Sequence, residues 1–206
     1  MNFIEDLGIT GHLQIAKQYS DARPEEIVFD DPNIVVSGMS VGLSFLFTGS
    51  GSVNITDYQI DRFQLGVSGD SAQQVSSTFS LSGALSSVAE YGAGSSKLAI
   101  SENSQLKNGA VIAAATLKTP FALIPFSDVT RIDDTSVRYT LVVDEDACNS
   151  IQRDDADASL NEVGLFMKDP TDVAGDAASL LVAYRYFSPI TKTSDFTLVF
   201  RWTLNF

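Results

Sequence analysis

The chain contains only one cysteine, Cys148, and one histidine, His12, in 206 residues. A single cysteine excludes an internal disulfide, and such a residue is more commonly a small buried apolar group than a nucleophile. Zinc sites draw their ligands mainly from several histidines and cysteines, and a Ser-His-Asp or Cys-His arrangement has only His12 as its base. No neighbouring residue completes either kind of site. We therefore predict that the chain is not an enzyme and holds no metal and no cofactor.

Basic residues and long hydrophobic runs are also scarce. The chain has 13 lysines and arginines against 26 aspartates and glutamates, a formal net charge of −13. Because this charge repels phosphates, we expect no direct binding of nucleic acid. No stretch reaches the roughly 20 apolar residues of a membrane helix. Residues 1–7 carry Glu5 and Asp6 and lack the basic and apolar regions of an export signal, so we expect no membrane insertion.

Two further motifs are incomplete. Gly49 and Gly51 lack the GK[ST] ending of a phosphate-binding loop. Asp144–Asp146 and Asp154–Asp157 lie in one predicted connection, residues 144–157, where oxygen ligands at alternate positions would suit calcium. The turn glycine and closing glutamate of an EF-hand are missing, which favours a solvated acidic loop and leaves cation binding there open.

The clearest positive signal is the alternation of apolar and mostly polar residues over Phe196–Phe206. Successive side chains of a strand point to opposite faces, so this pattern predicts a strand with one continuous apolar face. Such a segment is expected to be buried in the protein, in another subunit or in lipid. Closing strands of outer-membrane barrels share the pattern, but the missing export signal favours a soluble β core. The apolar face comprises Phe196, Leu198, Phe200, Trp202, Leu204 and Phe206.

The whole chain, residues 1–206, is predicted to form one mainly β domain, an antiparallel sandwich or barrel-like core. Strands separated by Gly, Pro and Asp at roughly regular spacing favour this fold over a parallel α/β sheet. One short helix is predicted near residues 38–48, and we expect its apolar face in the core rather than in a ligand groove. Residues 68–108, rich in Ser and Gly, predict a long loop excursion that either contacts a partner or is a plain surface loop. The predicted strands are His12–Tyr19 paired with Ile27–Phe29, Tyr58–Val67, Thr135–Val143, Asn161–Met167, Leu180–Phe187 and Phe196–Phe206, with a turn at Pro170–Gly175.

Aromatic residues and arginines in the last two predicted strands are candidates for an interface. These residue types are enriched at the centres of protein interfaces. Alternation places Tyr184 and Tyr186 on one face of their strand, and Arg185 and Phe187 on the other. The alternative is that all are core residues, with Arg185 extending its charged head to water. The candidates are Tyr184, Arg185, Tyr186, Phe187, Arg201, Trp202 and Phe206.

Segments near both ends of the chain carry a family resemblance. Near the C-terminus these are Asn161–Phe166, Leu180–Tyr184, Lys192 and the final strand. Near the start they are Gly11–Leu13 and Asn33–Gly38, followed by the short Leu/Phe helix. Together they resemble structural domains of tailed-bacteriophage virion proteins, particularly tail-fibre and baseplate or collar attachment modules.

The resemblance implies a β-rich building block that catalyses nothing and binds other virion proteins. It implies a virion component assembled in the host cytoplasm, most simply as a homo-oligomer in the tail, baseplate, collar or fibre anchor. A capsid decoration protein is a related alternative. A receptor- or carbohydrate-binding β-sandwich is the alternative from a different functional class. No catalytic residues follow from the resemblance.

Overall fold

A computed structural model describes residues 8–35, 37–48, 59–66, 89–90, 97–100, 115–118, 122–124, 126–146, 148–149, 152–153, 156–157, 159–168 and 178–206. Helix α1 spans Ser37–Thr48, and a short 3-10 turn spans Phe126–Asp128. The strands are β1 (Thr10–Gln18), β2 (Glu26–Val35), β3 (Ile60–Gly66), β4 (Ala89–Glu90), β5 (Lys97–Ile100), β6 (Ala115–Lys118), β7 (Ala122–Leu123), β8 (Val129–Arg131), β9 (Ser136–Val143), β10 (Gln152–Arg153), β11 (Ala156–Asp157), β12 (Leu160–Lys168), β13 (Ala178–Ile190) and β14 (Thr197–Asn205).

The strands form two antiparallel sheets with sandwich-like packing, and the described strands do not close into a barrel. The first sheet has the order β8-β9-β14-β1-β2, and the second has the order β2-β13-β12-β3-β7. Strand β2 joins the two sheets because residues 26–33 pair with β1 and residues 34–35 pair with β13. Strands β6, β5 and β4 extend the second sheet from the first residues of β13, and β10 and β11 pair separately. The prediction of a mainly β, antiparallel fold is confirmed.

The core lies between the two sheets. Strand β14 is central in the first sheet, flanked by β1 and β9, and its apolar face is fully buried from Leu198 to Leu204. Aromatic rings join the sheets: the Phe63 and Trp202 centroids are 5.9 Å apart, and those of Phe187 and Phe200 are 6.1 Å apart. The predicted alternation is therefore confirmed for this strand. It fails only at Phe206, which is 50% exposed because the paired strand ends at Asn205.

The predicted hairpin at the start of the chain is also confirmed. Strands β1 and β2 pair antiparallel, with a bulge in β2 at Val28, because Ile15 pairs with Phe29 and Ala16 pairs with Ile27. Strands β3, β9 and β12 lie within one or two residues of their predicted limits. Strand β13 is longer than predicted, because it continues through the exposed Ser188 and Pro189 to Ile190.

The predicted loop excursion, residues 68–108, contains two described strands, β4 and β5, and so is not loop throughout. These strands pair with each other, and β5 pairs with β6. The remaining residues of the excursion lie outside the described residues. The predicted turn at Pro170–Gly175 also lies outside them.

Helix α1 occupies the predicted position, but only part of its apolar face lies in the core. Met39 is buried and Leu43 packs partly against the core, whereas Phe47 is 83% exposed. The expectation that the whole face is core is therefore wrong at Phe47, which lies in the last turn beyond the edge of the sheets. Within the described part of the chain, no helix is long and apolar enough to cross a membrane.

The first turn of α1 lies directly against β13. A Cβ atom built on Gly38 would overlap the carbonyl oxygen of Leu181, a backbone atom that no side-chain rotation can move aside. Glycine is therefore required at this position for the helix to begin so close to the sheet.

Candidate interaction surfaces

Three of the seven predicted interface residues are buried within the chain itself. Trp202 and Tyr184 are fully buried, and Phe187 is 1% exposed. Phe187 contacts both Phe29 and Phe200 across the sandwich. Because these side chains already pack inside the folded chain, they are not available to a partner. Their assignment as interface residues is therefore corrected, because Trp202 faces the core from β14 and both faces of β13 are covered at Tyr184 and Phe187.

The Tyr184 side chain belongs to a buried polar group on the face of the second sheet opposite the core. Its hydroxyl donates a hydrogen bond of 2.9 Å to the Glu162 carboxylate, which is also fully buried. Gln64 lies on the same face, and neither atom of its buried amide has a hydrogen-bond partner among the described residues. A Cβ atom on Gly66 would overlap Glu162, so glycine here leaves room for that carboxylate. When a strand is buried on both faces, the sequence pattern does not indicate which of its polar side chains are buried.

Arg185 and Tyr186, also on β13, remain partly accessible. The Arg185 guanidinium lies 5.0 Å from the centre of the Phe29 ring and 3.4 Å from the Asp31 carboxylate. Burial lowers the pKa of Arg185, and the nearby Asp31 opposes this effect. The stem of Arg185 therefore covers apolar surface while its head reaches the edge of β2, as expected for a long amphipathic side chain. Its role as an interface residue stays a prediction.

Arg201 lies on the outer face of the first sheet, in a network with β1 and the residues before β2. Its guanidinium donates two hydrogen bonds of 2.7 Å to Glu25 and one of 3.0 Å to the Gln14 side chain. The Gln18 amide donates a further bond of 2.6 Å to Glu25. The bonds from Arg201 and then from Gln18 lower the pKa of Glu25 from 4.5 to about 2. This bidentate pairing holds the residues before β2 against the central strand β14.

The Arg201–Glu25 pair should make stability depend on pH in the acid range. A carboxylate whose pKa is lowered by folding contributes stability that is complete above about 4.5 and is lost as the pH falls towards about 2. We expect Arg201→Gln to lower the free energy of unfolding by about 0.5–1 kcal/mol at neutral pH, and by progressively less as the pH falls below about 4.5. Urea titrations at a series of pH values measure this difference. The same substitution in a Glu25→Gln background is the control, and a difference that does not vary with pH in the wild-type background would contradict the assignment.

His12 lies half-exposed on the same outer face. Its Nε2 atom is 3.2 Å from the Asp30 carboxylate, which also accepts a hydrogen bond from Gln14. In the described segments, no group of three or more His, Cys, Asp and Glu side chains is placed to hold a metal ion. His12 therefore lies beside a carboxylate on the exposed face of a β-sheet.

Lys192 is a buried cation that contacts the acidic loop, residues 144–157. The sequence pattern did not identify this role. The residue is 3% exposed, and its ammonium donates hydrogen bonds to the Thr193 carbonyl (2.7 Å), the Asn149 side chain (3.2 Å) and the Glu145 carbonyl (3.4 Å). Burial lowers its pKa, and the nearby acidic groups oppose that shift. Oxygen atoms of residues 144–149 therefore converge on a lysine of the chain. Cys148, in the same loop, is buried as the sequence predicted.

An apolar cavity of about 490 Å³ lies between α1, the first residues of β3 and the last residues of β12 and β14. Two aromatic side chains at its edge are poorly covered: Phe126 is 84% exposed and Phe206 is 50% exposed. The polar contributions to its wall come from Gln59, Asp61 and the Tyr139 hydroxyl. We call this region the apolar end, and its lining residues are Met39, Leu43, Leu46, Gln59, Ile60, Asp61, Ile124, Phe126, Val129, Tyr139, Met167 and Phe206.

The chemistry of the apolar end suits an uncharged, apolar occupant. Tyr139 is largely buried, and burial raises the pKa of its hydroxyl to about 12, so the group stays neutral. The cavity volume falls within the range of about 300–1,000 Å³ that is usual for ligand pockets. Of the seven residues predicted for an interface, only Phe206 lies here. In the sequence, Phe126 ends the hydrophobic segment Phe121–Phe126, which Pro125 interrupts. A proline at this place predicts the end of a strand, but it does not predict that the next side chain is exposed.

Comparisons of this chain with protein-family models, with curated proteins and with solved structures give no match.

Proposed function

We propose that this chain is a non-enzymatic structural subunit of a phage particle, which assembles with copies of itself and with other virion proteins in the tail, baseplate, collar or fibre anchor. The observation that supports assembly is the apolar end. Exposed apolar surface on a folded domain marks sites of protein contact, and the exposed side chains of Phe126 and Phe206 are among the residues that line the apolar cavity.

The polar groups of the described surface fit a structural role equally well. Arg201, Glu25 and Lys192 hold strands and loops of the chain in place through hydrogen bonds. The strongly acidic surface, with a net charge of −13, disfavours nonspecific association. Association at the apolar end therefore has few competing contacts. The virion context comes from the resemblance of both ends of the chain to phage structural modules.

The mass of the purified protein in solution tests this proposal. We expect wild type to sediment as a multiple of the 22.1 kDa chain, and Phe126→Asp to sediment as a single chain, because a carboxylate at the apolar end opposes burial in a contact. Ile27→Asp is the matched control, since Ile27 is 54% exposed on β2, outside the lining of the cavity. Both substitutions are at exposed sites, so circular dichroism should show an unchanged fold.

A monomeric wild-type protein at all concentrations would contradict assembly through this surface. If that monomer binds glycans, the carbohydrate-binding sandwich becomes the better assignment. An oligomer that Phe126→Asp leaves intact would show that subunits meet elsewhere on the chain.

A further inference from the structure

The cavity of the apolar end is lined by a helix and by strands of both sheets. Helix α1 contributes Met39 and Leu43 to the lining. Strand β9 of the first sheet contributes Tyr139, and β12 of the second sheet contributes Met167. The volume of about 490 Å³ lies in the range of pockets that hold small molecules, whereas two flat subunit surfaces in contact need no such space. The apolar end therefore has the shape of a ligand pocket.

Tyr139 supplies a polar group to the interior of this cavity. Of the polar residues in the described lining, Gln59 and Asp61 are exposed or partly exposed, and only Tyr139 is buried. Among the described residues its hydroxyl has no hydrogen-bond partner, and burial alone raises its pKa to about 12. A neutral phenol both donates and accepts hydrogen bonds. In apolar surroundings such a group favours a ligand that brings one polar atom to it.

The charges at the cavity disfavour an anionic ligand. The Asp61 carboxylate accepts a hydrogen bond of 3.0 Å from the buried guanidinium of Arg62, so this pair is already formed within the chain. The described lining contains no lysine, arginine or histidine that could pair with a ligand carboxylate. The net charge of −13 also repels anions. A neutral molecule therefore fits the cavity better than a charged one.

Two methionines make the lining adaptable. The thioether side chains of Met39 and Met167 are flexible and polarisable, and such side chains pack against apolar groups of varied shape. The lining therefore selects a class of ligand by polarity and size.

We propose that the cavity of the apolar end binds a small neutral amphiphile, a molecule with an apolar body and one hydroxyl or carbonyl group that hydrogen-bonds to Tyr139. The apolar body packs against Met39 and Met167. This site goes beyond the proposed assembly function, because it uses the buried part of the lining, whereas assembly uses the exposed side chains of Phe126 and Phe206.

Methyl NMR of the full chain tests this site with octanol as the probe and octanoate as its charged counterpart. The chain has three methionines, and two of them line the cavity. With carbon-13 in the methionine methyl groups, we expect octanol to shift the Met39 and Met167 signals saturably. Met39→Leu and Met167→Leu assign those signals. Octanoate should bind at least about tenfold more weakly, because a carboxylate loses solvation in an apolar cavity.

A cavity-filling variant with a matched control locates the binding. Val129 lines the cavity from β8, whereas the next residue, Thr130, is exposed and is not part of the lining. Val129→Trp should abolish the octanol-induced shifts, and Thr130→Trp should keep the wild-type affinity. Tyr139→Phe should weaken octanol binding about 2–10-fold, the usual effect of losing one hydrogen bond.

Four results would each overturn the proposal. They are no saturable shift in wild type, octanoate binding as tight as that of octanol, an unchanged affinity in Val129→Trp, and an unchanged affinity in Tyr139→Phe.

The ligand site and the assembly function fail separately. If octanol binds as expected but wild type is monomeric, the ligand site stands and the assembly function falls. If Phe126→Asp dissociates an oligomer but octanol shifts neither methionine signal, the assembly function stands and the ligand site falls.

Discussion

Trp202→Ala is expected to lower the free energy of unfolding by about 3–5 kcal/mol, the usual cost of removing a large aromatic side chain from a core. Trp202 is fully buried on the central strand β14, between Leu13 of β1 and Tyr139 of β9, and its ring contacts Phe63 of the other sheet. The cavity left by alanine would border both sheets at once. Urea denaturation followed by far-ultraviolet circular dichroism measures the loss, because Trp202 is the single tryptophan and fluorescence is lost with it.

Phe206→Ala, one residue beyond the end of the same strand, is the matched comparison. Its side chain is half exposed, so we expect a loss of about 1 kcal/mol or less. Trp202→Phe should also cost much less than Trp202→Ala, because in the described part of the chain the indole N–H is buried without a hydrogen-bond partner, and its removal loses no bond there. Equal losses for Trp202→Ala and Phe206→Ala would contradict the burial difference between these two positions.

Gly38→Ala is expected to lower the free energy of unfolding by about 1–3 kcal/mol, although alanine is the better helix former. At a free helical site the substitution would raise stability by about 1 kcal/mol. Here the added methyl group would overlap the Leu181 carbonyl oxygen, so α1 must move away from β13. The sign of the effect, measured by urea denaturation, therefore reports how closely the helix lies against the sheet.

Ser40→Ala provides the control for Gly38→Ala. Ser40 lies two residues further along the same helix and is exposed, so its replacement should change stability by only a few tenths of a kcal/mol, in the stabilising direction. A stabilising effect of Gly38→Ala similar to that of Ser40→Ala would show that α1 has room at its first turn.

Periodicity made the strands and the helix predictable. The alternation in β9 and β14, and the apolar spacing of Met39 and Leu43, are local patterns that burial on one face imposes directly. The order of strands was not predictable, because pairing of β14 with β1 and β9 depends on contacts between distant parts of the chain. The end of β13 was predicted too early because Ser188-Pro189 is a turn signal, and it is tolerated here at exposed positions of the strand.

The functional surfaces were less predictable than the fold. Because aromatic residues are enriched at interfaces, Trp202 and Phe187 were predicted to be interface residues. The same residue types also fill hydrophobic cores, and Trp202 and Phe187 lie in the core of this chain. The exposure of Phe126 depends on where the neighbouring strands end, and no pattern of residue types predicts those end points. The sequence singled out Lys192 only as part of the family resemblance, because the oxygen atoms around it include the backbone carbonyls of Glu145 and Thr193, which no side-chain pattern reveals.

The pairing of β1 with β14 has a consequence for synthesis of the protein. The side chains of Thr10 and Asn205, which are hydrogen-bonded across these strands, lie 195 residues apart in sequence. At roughly 5–20 residues per second, a ribosome completes β14 roughly 10–40 s after β1. During that time the β1–β2 hairpin lacks its central neighbour, and an isolated hairpin is only marginally stable. The first sheet therefore closes in one late step, and a nascent chain stalled before Thr197 presents the apolar faces of β1 and β9 to chaperones with no strand between them.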